Sequence, residues 1–320
     1  MLSRHFLRAK VLQALYANKI SESTDLKTSI KELTDSISSI YNLEVYLYSA
    51  LLEIRDIAEN QIEDAKTKFL PTEEDLNPNM RFVNNSLLRQ LSENMELKGA
   101  VKRLKIDWNA EKDILRRVFN QFKNSDSYKE YMEKDVIGYE DDKQVVTRLF
   151  KNYMLKNEPF MDYLFGLQTS WESDFQFVGL SFIKYLKDFS QDDTAAKPLP
   201  DFFYTDEHAR EFVEDLFSKI MTHFDEYDQM IKKRVENWDM DRLAFLDILI
   251  IKMGLVELEY CPAIPVRVTM NEYIELAKEF STDRSKLFVN GLLDKLLVDM
   301  RSMGRIRKDE QGLETMEEYS

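Results

Sequence analysis

The chain has 320 residues, a formal net charge of −14 and an apolar fraction of 44%, which is enough for one large or two ordinary domains. Only 8 glycines and 7 prolines are present, and this scarcity of turn residues favours long helices over many short strands. The single cysteine, Cys261, excludes an intramolecular disulfide and a cysteine-rich zinc cluster. The negative charge argues against a protein that coats nucleic acid with its whole surface, because phosphate would be repelled.

No stretch of the sequence looks like a membrane span or a signal peptide. The charged N-terminus has no apolar run behind it, and such a run is what a signal peptide requires. The longest uncharged apolar run, at residues 248–251, is far shorter than the roughly 20 residues that cross a bilayer. We therefore expect a cytoplasmic protein.

The first predicted element is an amphipathic helix over Ser3–Ile20. Arg4 and Arg8 lie four residues apart, roughly in line with its apolar stripe, so the helix is expected to overhang the core at its N-terminal end. The stripe consists of Val11, Leu12 and Leu15. The polar residues 21–25 then break the helix and offer candidate N-caps.

The middle of the chain predicts further helices with one clear linker. Periodic apolar residues predict a long helix over Leu26–Leu70. The other predictions, in chain order, are a loop at residues 71–79, helices near Met80–Glu96 and Asn109–Gln121, a charged surface stretch at Tyr128–Asp142, a linker at Asp188–Asp201 and a disordered tail at Arg301–Ser320.

An internal similarity is visible at a shift of 67 residues. Seven identical positions, almost all of core type, then coincide. A diverged duplication of a helix pair explains this, and so does chance agreement between two amphipathic helix pairs. The paired positions are Val146, Leu149, Phe150, Met154, Trp171, Asp174 and Ile183 with Val213, Leu216, Phe217, Met221, Trp238, Asp241 and Ile250.

Two stretches at opposite ends of the chain resemble one family. Residues 4–8 read R-H-F-L-R and residues 11–16 read V-L-Q-A-L-Y. Residues 265–295 read as an extended entry, the helix N-E-Y-I-E-L-A-K-E-F, a polar break S-T-D-R-S and a second helix start F-V-N-G-L-L-D-K. Together they resemble the signatures of the NusB family, the α-helical RNA-binding factors of bacterial transcription antitermination.

The resemblance implies an all-α fold, a NusB-like helical bundle with an additional helical insertion. The opening helix at 1–20 would pack with the C-terminal part at 201–300, and a middle region at 21–200 would form an insertion or a second bundle. Residues 301–320 would be the disordered tail. In ordinary members of the family the two parts follow one another closely, so the resemblance gives no role to the middle.

The resemblance also implies that the opening helix binds RNA. Arg4 and Arg8 match arginines of the family's RNA-binding run, and the planar guanidinium suits phosphate. His5 stands where the family usually has arginine, which predicts weaker or pH-dependent binding. Lys10 adds a fourth basic side chain. Composition alone favours a solvated helix end for the same residues.

The second implied RNA contact is the F-V-N-G stretch. Phe288 would stack on a base, Asn290 would hydrogen-bond to one, and Lys286 would add charge. Leu287 replaces a residue that is often basic in the family. Without the resemblance, Phe288 reads as a core residue, because Phe288, Leu292 and Leu296 share the spacing of a buried seam.

A third candidate site lies on the apolar stretch 241–252. Asp247 and Lys252 interrupt it, and a charge on a mostly buried helix must pair or reach a rim. The resemblance places Asp247 on the face that receives NusE, the small-subunit ribosomal protein that doubles as an antitermination factor. That partner is basic, and an acidic body would attract it. The plainer interpretation is an internal salt bridge or partial exposure.

We expect no catalytic residues, no metal and no cofactor. The three histidines are far apart in sequence, and neither a glycine-rich phosphate loop nor a nucleophile elbow is present. The sequence therefore predicts a non-enzymatic factor that binds boxA-like single-stranded RNA of ribosomal RNA operons together with NusE, and acts on RNA polymerase indirectly. The alternatives are a protein-binding scaffold that has lost RNA binding and, more remotely, a relative of the N-terminal domain of ribosomal-RNA cytosine methyltransferases.

Overall fold

The computed structural model describes residues 3–22, 25–199, 207–235 and 244–308. In these ranges it contains fifteen α-helices and no strand, so the all-α prediction is confirmed. Within the same ranges, no helix is long and apolar enough to span a membrane. The helices are α1 Arg4–Ile20, α2 Leu26–Lys66, α3 Glu73–Leu76, α4 Ser86–Glu93, α5 Met95–Leu104, α6 Lys112–Lys123, α7 Asp126–Glu133, α8 Tyr139–Leu149, α9 Glu158–Leu167, α10 Trp171–Asp188, α11 Glu207–Thr222, α12 Phe224–Arg234, α13 Phe245–Tyr260, α14 Val266–Phe280 and α15 Asp283–Ser302.

The chain divides into two compact units. Unit 1 combines Met1–Ile37 with Phe202–Ser320, and unit 2 is Ser38–Asp201. The boundary between them falls inside α2, so unit 1 is discontinuous in sequence and unit 2 is a single stretch.

Unit 1 is built around α13. This helix packs against α1, α11, α12, α14 and α15, and nearly all of its residues from Asp247 to Leu258 are buried. Its sequence explains this position, because a helix that is apolar all round is stable only when other helices cover it. α1 lies on α11, α13 and α14, with its predicted stripe almost completely buried.

Unit 2 is a helical body with an aromatic core. The later part of α2 supplies fully buried residues such as Leu43, Leu47 and Tyr48. α8 packs on α4, α7 and α10 and continues directly into a π-helical turn, Phe150–Met154. Phe182 of α10 stacks obliquely on Tyr48 and Phe150, with ring centroids 4.4 and 4.3 Å apart, and such aromatic packing adds to the stabilisation from burial.

Asparagine caps shift two of the predicted boundaries. The helix expected over 80–96 begins only at Ser86, because the side chain of Asn85 accepts a hydrogen bond from the Leu88 N–H. Asn94 then ends this helix and caps α5 through the Leu97 N–H at 2.8 Å. An asparagine that satisfies the free N–H groups of a new helix is a strong start signal, so one predicted helix became two.

The stretch Tyr128–Asp142, predicted to be charged surface, is partly core. Tyr128, Tyr131 and Asp142 are buried. The Tyr131 hydroxyl donates to the Asp142 carboxylate at 2.6 Å, and the Ser86 N–H donates to the other carboxylate oxygen at 2.8 Å. A carboxylate tolerates burial when its oxygens accept hydrogen bonds, which is why the charge pattern misled the prediction.

The predicted linker and tail are irregular but anchored where the structure describes them. The amide of Gln90 donates to the backbone oxygen of Ser190, and that of Asn94 to Lys197, within unit 2. Past α15, the guanidinium of Arg305 contacts Glu226 at 2.7 Å and Glu259 at 2.6 Å. A disordered tail was expected from residue 301, but residues 301–308 are ordered and make contacts. Residues 309–320 lie outside the described residues.

Trp238 and Asp241, two positions of the internal similarity, also lie outside the described residues. The duplication stays a prediction.

Candidate nucleic-acid interface

Arg4 is the basic residue of the opening helix that faces solvent. Ser3 is the N-cap of α1, and its hydroxyl accepts a hydrogen bond from the Phe6 N–H at 3.2 Å. Arg4 follows in the first turn and is exposed. Its guanidinium carbon is 4.9 Å from the centroid of the Phe212 ring of α11. This cation–π contact restrains the guanidinium group without using its hydrogen-bond donors.

His5 is held between two acidic side chains of α14. Its Nδ1 lies 3.0 Å from Glu272 and its Nε2 lies 3.0 Å from Glu279. Partial burial alone would lower the pKa of His5, but the hydrogen bonds to Glu279 and Glu272 outweigh it and raise the pKa above its usual value. The ring therefore ties α1 to α14, and its charge is already matched by protein carboxylates.

Arg8 is a core residue. Its side chain is 1% exposed, and the expectation that it lies on an open basic surface is wrong. Its Nε and Nη2 donate to the two oxygens of Glu257 at 2.7 and 2.8 Å, and Nη1 donates to Glu272 at 3.1 Å. Burial opposes the charge, but the bonds to Glu257 hold the pKa of Arg8 above its ordinary value.

Glu257 completes this network on α13. It is 0% exposed and also accepts hydrogen bonds from the hydroxyls of Thr269 and Tyr273, both at 2.9 Å. Two arginine nitrogens and two hydroxyls thus satisfy a fully buried carboxylate, which is the condition for keeping a charge in a core. The network joins α1, α13 and α14 at one point.

Lys10 is also buried, at 2% exposure. The prediction counted it among the surface cations, and its place in the structure differs for the same geometric reason as that of Arg8. Both residues lie in the stretch Phe6–Leu12 of α1, in which every residue is buried. The basic run of the sequence is therefore split by the helix, with Arg4 outside, His5 at the rim, and Arg8 and Lys10 inside.

The F-V-N-G stretch lies on α15 beside a small cleft. Phe288, Lys286 and Asn290 are all half-buried, so Phe288 is neither a closed core residue nor a fully open one. The cleft has a volume of about 140 Å³. It is lined by Arg234, Val235, Leu287, Phe288, Gly291, Leu292 and Lys295.

The lining of the cleft is basic and apolar, and the sequence analysis had singled out only some of its residues. Leu287 is 75% exposed and Gly291 has open space around its Cα, so the side of α15 next to Phe288 is open. Arg234 comes from α12 and pairs with Asp299 of α15. The sequence analysis assigned no role to Arg234 or Lys295. Arg234 could not be found from sequence, because only the tertiary packing of α12 on α15 brings it to the cleft.

The two predicted RNA blocks belong to the same unit. α13 and α14 each pack against both α1 and α15, so the helix that carries Arg4 and the helix that carries Phe288 share two neighbours. The side chains of the two blocks do not line one common cleft among those described.

Asp247 and Lys252 are buried rather than displayed, with exposures of 4% and 1%. The Lys252 ammonium lies 2.9 Å from Asp228 and 3.2 Å from the centroid of the Phe224 ring. Burial lowers the pKa of Lys252 to about 8, against the opposing effect of Asp228. The Asp247 Oδ1 finds no hydrogen-bond partner among the described residues. Because both side chains are buried, they do not form a surface that a partner could contact directly.

Glu257 is the key residue that the sequence reasoning missed. The same signal that singled out Asp247 and Lys252 applies to it, since it is a charge on a helix that is apolar nearly all round. Its partner Arg8 was assigned to RNA instead, which left the buried pair unrecognised.

Comparison with known proteins decides the family. Residues 179–297 match the model of the NusB family. Over 108 residues the chain is 38% identical to the transcription antitermination protein NusB of Salinibacter ruber, a match that covers 34% of this chain and 68% of that protein. The chain belongs to the NusB family.

Two other relatives carry the same name. The NusB protein of Chloroherpeton thalassium is 32% identical over 122 residues, or 38% of this chain and 58% of that protein. The NusB protein of Myxococcus xanthus is 41% identical over 93 residues, or 29% of this chain and 66% of that protein. In both of these the match covers less than two thirds of the relative. No solved structure matches the chain.

Proposed function

We propose that this NusB-family chain is a transcription antitermination factor that binds boxA-like single-stranded RNA together with NusE. Membership of the NusB family carries the proposal, and the exposed Arg4 and the open side of α15 support it. The acidic charge of −14 favours a basic protein partner such as NusE.

The buried network changes the roles that we give to the basic residues. Arg4, Phe288, Asn290 and Lys286 are the proposed RNA contacts, since each retains exposed surface. His5, Arg8 and Lys10 act as positioning residues, because ion pairs or burial already occupy them. Asp247 and Lys252 shape the core beneath the partner surface in this proposal.

The test is fluorescence anisotropy with a labelled boxA-like RNA, with and without NusE, over a salt series. We expect saturable binding that tightens with NusE and weakens with salt. Arg4→Ala should lower the affinity without lowering stability, whereas Arg8→Ala should lower both. Arg89→Ala, which removes an exposed arginine of unit 2, is the matched control and should change neither.

A protein-binding scaffold without RNA affinity is the second candidate. The observation that favours it is the loss of free cations from the opening helix, where Arg8 and His5 are matched by Glu257, Glu272 and Glu279. If a folded protein binds NusE but no boxA-like RNA at any salt concentration, this candidate replaces the first.

A further inference from the structure

α5 of unit 2 displays an uninterrupted cationic side. Residues 98–105 contain four basic residues and no acidic one. Lys98 and Lys102 are exposed and lie four residues apart, on one side of α5. Lys105 is exposed as well and is the C-cap of the helix, with a left-handed backbone. Leu97 and Ala100 are buried on the opposite side. We call the three lysines the α5 lysine row.

The α5 lysine row differs from the helical cations that pair with a nearby acid. Elsewhere on the helices, lysine and arginine side chains commonly pair with an acid three or four residues away, as in Lys31–Asp35, Lys66–Glu63 and Arg116–Asp113. Lys98, Lys102 and Lys105 make no ion pair in the described part of the chain. Like charges four residues apart, such as Lys98 and Lys102, destabilise a helix.

The helix dipole accounts for only part of the row. Cations near a helix C-terminus are favourable, and this covers Lys102 and Arg103 in the last turn of α5. Lys98 lies in the first half of the helix, where a cation gains nothing from the dipole. Arg103 is further engaged by Tyr41, with its guanidinium carbon 5.8 Å from the ring centroid, whereas the row has no such contact.

The surface next to the row is open to close approach. Gly99 is exposed within the helix, and a Cβ placed there would meet nothing within 4 Å, so packing does not require the glycine. Met95 adds a 70% exposed thioether, and its calculated position on the helix falls beside Lys98 and Lys102. The α5 lysine row therefore borders a surface formed by the exposed Met95 side chain and the exposed backbone at Gly99.

We propose that the α5 lysine row binds the phosphate backbone of single-stranded RNA, independently of RNA sequence. The three ammonium groups contact phosphates of one strand, while Met95 and the Gly99 backbone form the surface that the bases contact. Lysine ammonium groups act as point charges without directional matching, which suits a polyphosphate strand better than a shaped acidic protein surface. This inference gives unit 2 a role that the proposed function leaves open.

The test measures binding of a labelled 12-residue oligouridine RNA to the full chain by anisotropy, starting near 50 mM salt and raising it, because such contacts weaken steeply with salt. Oligouridine lacks boxA, so the result does not depend on the proposed function. Removing three phosphate contacts should reduce the slope of log affinity against log salt by about 2, since each contact on single strands contributes about 0.7. The Lys98→Glu, Lys102→Glu, Lys105→Glu triple variant should therefore bind at least tenfold more weakly.

A charge-matched control variant distinguishes loss of a specific RNA-binding site from general repulsion of RNA by the added negative charge. Lys129, Lys151 and Lys184 are exposed on the same unit, and their triple change to glutamate adds the same negative charge; it should weaken binding much less. The milder Lys98→Gln, Lys102→Gln, Lys105→Gln variant guards against helix disruption and should also lose affinity.

Equal loss in the control, an unchanged salt slope, or no oligouridine binding by the wild type would overturn the inference. Binding of a labelled oligoglutamate peptide in place of the RNA would overturn it in favour of an acidic protein ligand. If boxA binding fails while oligouridine binding depends on the row, the proposed function falls and this inference stands.

Discussion

At the scale of single residues, Glu257 and Arg8 form the most consequential pair in unit 1. Replacing Glu257 with Gln should lower the free energy of unfolding by about 3–5 kcal/mol, because Arg8 would be left buried without its counter-charge. Urea denaturation measures this. The double variant Arg8→Met, Glu257→Met removes both charges and should cost clearly less. An equal or larger cost for the double variant would show that shape, rather than charge pairing, dominates the site.

His5 makes the contact between α1 and α14 pH-dependent. A raised pKa in the folded state means that the protonated ring stabilises the fold fully below its unfolded pKa of about 6.5, and that this stabilisation is lost as pH rises through the folded pKa. The effect should stay within about 1 kcal/mol, because a third of the side chain is exposed and solvent screens the pairs.

The check for His5 is thermal unfolding between about pH 6 and 9 for the wild type and His5→Gln. The stability difference between them should shrink as pH rises. A constant difference across that range would mean that the ring acts by packing alone.

The contribution of Lys252 to stability depends on pH in the opposite direction to that of His5. Its folded pKa of about 8 lies below the usual value for lysine, so between about pH 8 and 10.4 the unfolded chain binds a proton that the folded chain does not. Stability relative to Lys252→Met should therefore rise across this window, by about 3 kcal/mol at most. Parallel stability curves for the two proteins in alkaline solution would contradict this.

At the scale of elements, two glycines in helices predict opposite outcomes. Gly99 of α5 has open space around it, so Gly99→Ala should stabilise unit 2 by about 0.5–1 kcal/mol. At Gly179 of α10 a Cβ would lie 2.8 Å from Leu155 Cδ2, so Gly179→Ala should destabilise by about 1–3 kcal/mol unless Leu155 moves. Melting temperatures of the two variants test both predictions. If both substitutions raise the melting temperature, the Leu155 side chain moves aside without loss of stability.

Elements were predictable from sequence where one physical signal acted alone. The stripe of α1 and the apolar surface of α13 follow directly from periodicity, and both helices occupy the central positions that this implies. α7 was misread because buried Tyr131 and Asp142 satisfy one another, a compensation between residues that no local pattern reveals.

At the scale of the whole molecule, the family resemblance gave the all-α fold, but not the division of labour among its charges. Residues four apart on a helix lie on nearly the same side, so the burial of each depends on which turn the neighbouring helices cover. Arg4 and Arg8 are one turn apart, yet one faces solvent and the other faces Glu257. Only the positions of α13 and α14 decide which is which, and sequence periodicity does not supply the identity of a partner more than 200 residues away.

The discontinuity of unit 1 has a consequence during synthesis. Roughly 225 residues separate the end of α1 at Ile20 from the start of α13 at Phe245. At about 5–20 residues per second, the ribosome takes roughly 10–45 s to make them. Throughout that time the apolar side of α1 has no α13 to cover it, while the whole of unit 2 is completed. The nascent chain therefore leaves the apolar stripe of α1 without its α13 contact until unit 2 has been made.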